Sequence, residues 1–344
     1  MEKNGIARMV WAGAICLAAA GLGYGVVLHP GDLQPANHPD SRVVGRWNDN
    51  ASGVAISPNY ILTVRHQGYG VGSTIYFDGQ PYTIQQVWTE PATDGAEADL
   101  RVCRISKPGG SPANLPVHAD IYTGNPFNKA IVLGGFGKGR GADVLAGSTV
   151  IGYNWALTDN SAFRWGSNNT GPSQQEQDIT AHSNFGDFTS TCLTLDFDGP
   201  SPGSTEGAVA EYDSGGGWFY QDGTTWKLVG ISAYTDNGGT KRSIFAPTPE
   251  KNYALKVADY AAWINVVVVE PSCPVHPAGD LDGDCRVNLA DLTIMAQRWL
   301  ATCAGPDWCD GADIGHNGMV NLADFSAMAS TWLACSWVPA WGCN

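Results

Sequence analysis

Short apolar and β-branched runs, separated by Gly, Pro, Asn and Asp, fill most of the chain between residues 43 and 250. Residues 51–66 read as two strands around a turn at Ser57-Pro58-Asn59. β-Branched and aromatic residues dominate 74–88, with a turn at Asp78-Gly79. Further strands are predicted over 98–105, 129–133, 191–197 and 226–234. Residues 154–181 read as a long polar insertion with little periodicity. Many short strands with Gly/Pro turns predict a mostly β sandwich or barrel. The period changes over 251–265, where Tyr253, Val257, Tyr260, Ala261 and Ile264 recur at helical spacing and predict a terminal helix.

Beyond a Pro-containing linker at 266–278, the pattern repeats. Val287-Asn288-Leu289-Ala290-Asp291-Leu292 recurs as Val320-Asn321-Leu322-Ala323-Asp324-Phe325, and Trp299-Leu300 as Trp332-Leu333, at an offset of 33 residues. Each copy has helical periodicity between these landmarks, so 279–344 is expected to be two loop–helix units packed face to face.

Composition narrows the class. The 344 residues are 43% hydrophobic and 15% charged, with 43 glycines, as in a loop-rich β protein with a sizeable core. The net charge of -14 disfavours a nucleic-acid binder. Lys3 and Arg8 precede the apolar run 9–20, and small residues follow at Ala18, Ala19, Ala20, Gly21 and Gly23, the pattern of an export signal over 1–24. The product is expected to be secreted, extracellular or on the cell surface, without a membrane span after cleavage. Residues 25–42, with Pro30, Pro35 and Pro39, read as a leader or pro-segment. Of nine cysteines, Cys16 lies in the signal, Cys103 and Cys192 in mid-chain, and the rest from Cys273 onward. Export permits disulfides. Local bridges Cys273–Cys285, Cys303–Cys309 and Cys335–Cys343 are expected, while Cys103 and Cys192 can pair with each other or stay reduced.

The candidate chemistry centres on Glu211-Tyr212-Asp213-Ser214-Gly215-Gly216-Gly217. Glycines there let the main chain wrap a serine hydroxyl and aim N–H groups at a developing oxyanion. His66 closes one predicted strand and Asp99 opens another, and the order His66, Asp99, Ser214 matches the chymotrypsin-type arrangement. Gly53-Val54-Ala55-Ile56-Ser57-Pro58 with Leu62-Thr63, Leu228-Val229-Gly230-Ile231, and 258–264 supply further landmarks. Residues 43–265 thus resemble the trypsin/chymotrypsin-like serine protease family. The resemblance implies a double six-stranded β-barrel with a C-terminal helix and a site in the cleft. It also implies an endopeptidase acting on protein or peptide substrates: Ser214 as nucleophile, His66 as base, Asp99 as its partner, and the N–H groups of Tyr212 and Ser214 as oxyanion hole. Cleavage after Arg42 would free Val43 to pair with Asp213; an uncut junction is the other reading. Tyr212 stands where the family has glycine, and Arg65 and Gln67 flank the histidine. The pocket-base position falls on Ala208 and a wall position on Thr235, which implies small or medium apolar side chains at the cleaved residue. A protease fold that has lost activity and serves binding or adhesion is the alternative.

In the C-terminal unit, Asp280, Asp282, Asp284, Asn288 and Asp291 stand at positions 1, 3, 5, 9 and 12 of an EF-hand loop, with the Arg286 carbonyl at position 7. In the second copy Asp313, Asn317, Asn321 and Asp324 take positions 1, 5, 9 and 12, with Met319 supplying the carbonyl; Gly315 leaves position 3 without a side-chain ligand. Residues 279–334 resemble a type I dockerin. The resemblance implies calcium, held more firmly by the first loop, and a cohesin-like scaffold or surface partner meeting Leu289-Ala290 and Leu322-Ala323. No cofactor is expected for catalysis.

Overall fold

The computed structural model describes residues 25–48, 51–90, 97–156, 162–199 and 204–343. The export segment and Cys16 lie outside the described residues. The strands Val44–Trp47, Ala51–Ser57, Tyr60–Thr63, Arg101–Ser106, Gln80–Thr89 and Thr74–Phe77 close, in that order, into a barrel. Trp47, Ala55, Ile61, Ile75, Phe77, Ile84 and Ile105 fill it. The hairpin Phe77–Gln80 turns through Asp78 (φ 49°) and Gly79 (φ 72°), the pair of positive φ values whose twist suits a two-residue connection.

The second half departs from the expected closed six-stranded barrel: it is a 10-stranded sheet with a separate 3-stranded one. Central in the large sheet, Thr225–Thr235 pairs with Gly217–Asp222 on one side and Glu250–Lys256 on the other. Two additions extend it. Val27–His29, from the expected leader, pairs with Glu206–Ala208 and is buried. Gln177–Ser183, from the expected polar insertion, forms a hairpin with Gly186–Phe197. Arg164–Asn169, also from that insertion, pairs with Ala130–Gly135. Ladder bonds come from the backbone, so a polar edge strand forms without apolar alternation. The predicted helix over 251–265 is also shorter. Glu250–Lys256 is a strand paired on both sides, and only Ala261–Val267 is α-helical, after a tight turn at Val257–Tyr260. A strand buried on both faces shows no alternation, and a short one can match helical spacing by coincidence.

The C-terminal unit contains helices Leu289–Gln297 and Leu322–Ser330. Each starts with a capping box, Asn288 with Asp291 and Asn321 with Asp324. The copies interlock reciprocally: Leu300 N–H donates to the Val320 carbonyl and Leu333 N–H to that of Val287, both at 2.9 Å. Val287, Met295, Val320 and Met328 form a shared core. The three local disulfides form as expected, and Cys103 and Cys192 are buried free thiols. The expected linker is packed. Its first residues belong to the helix, and Glu270 accepts hydrogen bonds from the Asn59 N–H (3.0 Å) and Nδ2 (2.7 Å). Trp341 stacks beneath Arg104 at 4.5 Å and meets Tyr60 edge-on, seating the C-terminal unit on the barrel.

Candidate active site

Pairing of Tyr60–Thr63 with Arg101–Ser106 brings the turn after one strand beside the turn before the other. His66 and Asp99 meet there. Asp99 is fully buried. Its Oδ1 accepts the backbone N–H groups of Arg65 (2.9 Å) and His66 (2.8 Å), and its Oδ2 lies 2.6 Å from His66 Nδ1. A ring nitrogen held against an ionised carboxylate carries the proton, which leaves Nε2 as acceptor. Ser214 Oγ lies 3.0 Å from that Nε2. The structure therefore brings His66, Asp99 and Ser214 into one hydrogen-bonded line. Gln67 Nε2 also approaches His66 Nε2, at 2.9 Å.

The turn carrying Ser214 bridges the two halves. Ser52 N–H donates to the Ser214 carbonyl at 2.7 Å, and Gly215 N–H to the Ser232 carbonyl at 2.8 Å. Gly215 has φ 86°, and a Cβ there would stand 2.0 Å from the Ser52 carbonyl oxygen, so only glycine fits. Tyr212 has φ 77°, the left-handed conformation that glycine adopts most easily. Several contacts hold it there. The Glu211 carbonyl accepts the Lys138 N–H at 2.8 Å, Lys138 Nζ pairs with Glu211 at 2.6 Å, and the same ammonium lies 5.2 Å from the Tyr212 ring centroid. Carbonyl and N–H point in opposite directions across a trans peptide, so the Tyr212 N–H faces away from Lys138. Among the described residues, neither the Tyr212 nor the Ser214 N–H has a hydrogen-bond acceptor.

Asp213 is 1% exposed. It accepts N–H bonds from Gly137 (2.7 Å), Ala210 (2.9 Å) and Val26 (3.2 Å). Burial pushes its carboxyl up to about 7, against the pull of those donors. Gly135 is required beside it, because a Cβ there would lie 2.2 Å from Asp213 Oδ1. The pairing of Asp213 with Val43 is expected only after cleavage at Arg42, and the chain here is uncut. Val43 is buried in a tight turn, its N–H donating to the Asp40 carbonyl at 3.0 Å, and Val26 takes the place beside Asp213.

A pocket of about 250 Å³ opens beside Ser214, lined by Trp155, Val209, Ala210, Tyr234 and Thr235 among others. Thr235 lies on its wall as expected, but Ala208 does not reach it. That residue is fully buried in the sheet and paired with Val27, so the N-terminal strand covers the position expected to be the pocket base. Glu211 and Lys241, 3.5 Å apart, make one side polar.

No family model matches this chain, and no curated protein matches it. Among solved structures, the chain is similar to neuropsin, a serine protease expressed in the limbic system of mouse brain, at 13% sequence identity and a TM-score of 0.44, over 67% of this chain and 96% of that chain.

Residue patterns gave no signal for Val26, Lys138 or Tyr234. Val26 lies 187 positions from the carboxylate it contacts, and Lys138 73 from Glu211. Tyr234 donates its hydroxyl to Asp99 Oδ2 across 135 positions. Gln67 was visible only as an unusual neighbour of the histidine.

The C-terminal loops converge their oxygens. The carboxylates of Asp280, Asp282 and Asp284 offer ligand atoms within 4.8 Å of one another. Asp280 accepts the N–H groups of Gly283 (3.0 Å) and Cys285 (2.8 Å), and its Oδ2 lies 2.7 Å from His276 Nδ1. Asp291 is fully buried and accepts the N–H groups of Leu281 (2.7 Å) and Asn288 (2.8 Å). In the second loop, buried Asp313 accepts from Asn317 (2.9 Å) and Gly318 (2.8 Å), and buried Asp324 from Gly315 and Asn321 (both 2.9 Å). Position 6 has positive φ in both copies, at Cys285 (67°) and Gly318 (93°), so the cysteine reproduces the glycine bend. Asn288 and Asn321 spend their side-chain oxygens capping the helices. Partial burial, then Asp284, Asp291 and Asp280 around it, push the Asp282 carboxyl up, the crowding of like charges that a cation relieves.

Proposed function

We propose that the chain is a secreted serine endopeptidase of the chymotrypsin type, tethered through a calcium-binding, dockerin-like C-terminal module. One observation carries the proposal: the Asp99–His66–Ser214 line ends beside two N–H groups that have no acceptor among the described residues. Ser214 Oγ attacks a peptide carbonyl as His66 Nε2 takes its proton. The imidazolium, held against Asp99, then returns the proton to the leaving amine. The N–H groups of Tyr212 and Ser214 receive the oxyanion. The pocket favours a small or medium side chain, apolar toward Val209 and Ala210.

The second reading, an inactive protease-fold binding protein, draws on Gln67. Neutral Nε2 has one lone pair, and the Gln67 amide competes with the serine hydroxyl for it. One experiment separates the two. A fluorophosphonate labels the mature protein, and Ser214→Ala abolishes the label and peptide hydrolysis together. A native protein that neither labels nor hydrolyses peptides decides for the scaffold.

The donor set of the first loop fits calcium: hard oxygens from Asp280, Asp282, Asp284 and Asp291 with the Arg286 carbonyl. Asp313, Asn317, Asp324 and the Met319 carbonyl form a poorer set. Bound calcium would order the loops and fix the two helices. Leu322, 72% exposed, lines an apolar groove with Leu292, Trp299 and Phe325, and Leu289 is 70% exposed, which supports docking to a cohesin-like or surface partner. Calorimetry is expected to show a calcium-binding event that Asp280→Ala removes; no heat at about millimolar calcium sinks this part.

A further inference from the structure

We propose that Tyr234 is a positioning residue of the triad, holding Asp99 through its hydroxyl while its ring forms the wall of the substrate pocket. The proposal rests on the peptidase reading above and adds a residue to it.

The backbone explains how the side chain arrives there. Thr225–Thr235 is a central strand, and alternate residues along a strand share a face. Ser232 points into the core, where its Oγ accepts the Trp218 Nε1–H at 3.0 Å. Regular alternation would send Tyr234 to that same side. The ladder shifts between them, with Ser232 opposite Ala254 but Tyr234 opposite Tyr253. Ala233 is thus an extra residue, a bulge of the kind that re-aims a side chain. Tyr234 turns into the cleft instead. Its hydroxyl donates to Asp99 Oδ2, and its ring lies 5.6 Å from that of His66. The same residue lines the pocket with Ser214.

An ionised carboxylate only accepts, so the phenol must be the donor. Asp99 then has Arg65 and His66 N–H on Oδ1, and His66 Nδ1 and Tyr234 on Oδ2. The phenol stops the carboxylate from rotating away from the imidazole and draws charge from the oxygen that faces it. The other groups around this pair are known. Arg65, paired with Glu97, comes from the turn after Tyr60–Thr63, and Arg101 from the strand after Asp99. Cys192 comes from Gly186–Phe197 and Tyr260 from the tight turn before the last helix of this half. Burial pushes Cys192, Tyr260 and Tyr234 up, so all stay neutral in the working range.

Tyr234→Phe removes one oxygen and keeps the ring. With a chromogenic peptide substrate, kcat is expected to fall about tenfold, as for a lost hydrogen bond to a charged group, while KM changes less than about twofold. The acid limb of kcat/KM is expected to move to higher pH, because Asp99 without its fourth donor holds the imidazolium more tightly. Unchanged kcat with a superimposable pH profile overturns the proposal. So does a rise in KM alone, which would leave Tyr234 as a pocket wall. A melting curve checks that the variant folds. A measurement on the native protein needs neither variant nor turnover: the Tyr234 hydroxyl proton, slowed in exchange, is expected to show a nuclear Overhauser effect to the His66 ring, and its absence overturns the contact. If the native protein fails to label with fluorophosphonate while that effect is present, the peptidase reading fails and the contact stands.

Discussion

Tyr212 concentrates the chemistry of the candidate site into one peptide. Its φ of 77° costs a residue with a Cβ roughly 1–2 kcal/mol, and the Lys138–Glu211 contacts hold it there. Two substitutions separate the side chain from the N–H. Tyr212→Gly is expected to keep kcat within about threefold, since glycine adopts this φ freely. Tyr212→Pro removes the N–H and demands a negative φ, and kcat is expected to fall by about 10²–10³. Steady-state kinetics on a peptide substrate check both. Equal rates for the proline variant and the native protein would remove Tyr212 from the oxyanion site.

At the scale of elements, Val27–His29 changes the meaning of residues 25–42. Those residues read as a disposable leader because three prolines and few apolar positions carry no periodic signal. In the fold they supply an edge strand, fill the core with Val26 and Leu28, and place an N–H on Asp213. In the uncut chain the buried Asp213 carboxyl is thus served by backbone N–H donors, without an amine at Val43. Arg42→Gln is expected to leave both thermal midpoint and hydrolysis rate unchanged. Val26→Pro, at a residue with φ 54°, removes the N–H and imposes an incompatible φ; a loss of about 3 kcal/mol or more of stability and of activity is expected. Chemical denaturation and rate assays check the pair. Loss of activity in Arg42→Gln alone would restore the role of that junction.

Across the whole molecule, three buried carboxyls set the direction of the pH dependence of stability. Burial pushes Asp213 up to about 7, and Glu206 and Glu250 up to about 8. An unfolded chain releases such protons near pH 4. Between roughly pH 4 and 8 the folded state therefore binds more protons than the unfolded one, and stability falls as pH rises. Calorimetric midpoints are expected to drop from pH 5 to pH 8. Glu206→Gln and Glu250→Gln are expected to flatten that slope. A midpoint that rises over this range would show that the carboxyls are ionised in the fold.

What the sequence by itself determined is local. The hairpin at Asp78-Gly79, the 33-residue repeat, the loop oxygens from Asp280 and the capping residues Asn288 and Asn321 each depend on neighbours a few positions apart. His66, Asp99 and Ser214 were also legible, through residue type and order rather than spacing. Only the tertiary structure decided which groups surround them. Val26 reaches Asp213, Tyr234 reaches Asp99, and the second half spreads into a 10-stranded sheet where a closed barrel was expected. These outcomes depend on backbone ladders and one bulge between residues far apart in the chain. Ladder bonds use groups that every residue but proline carries in full, so they leave almost no trace in side-chain pattern.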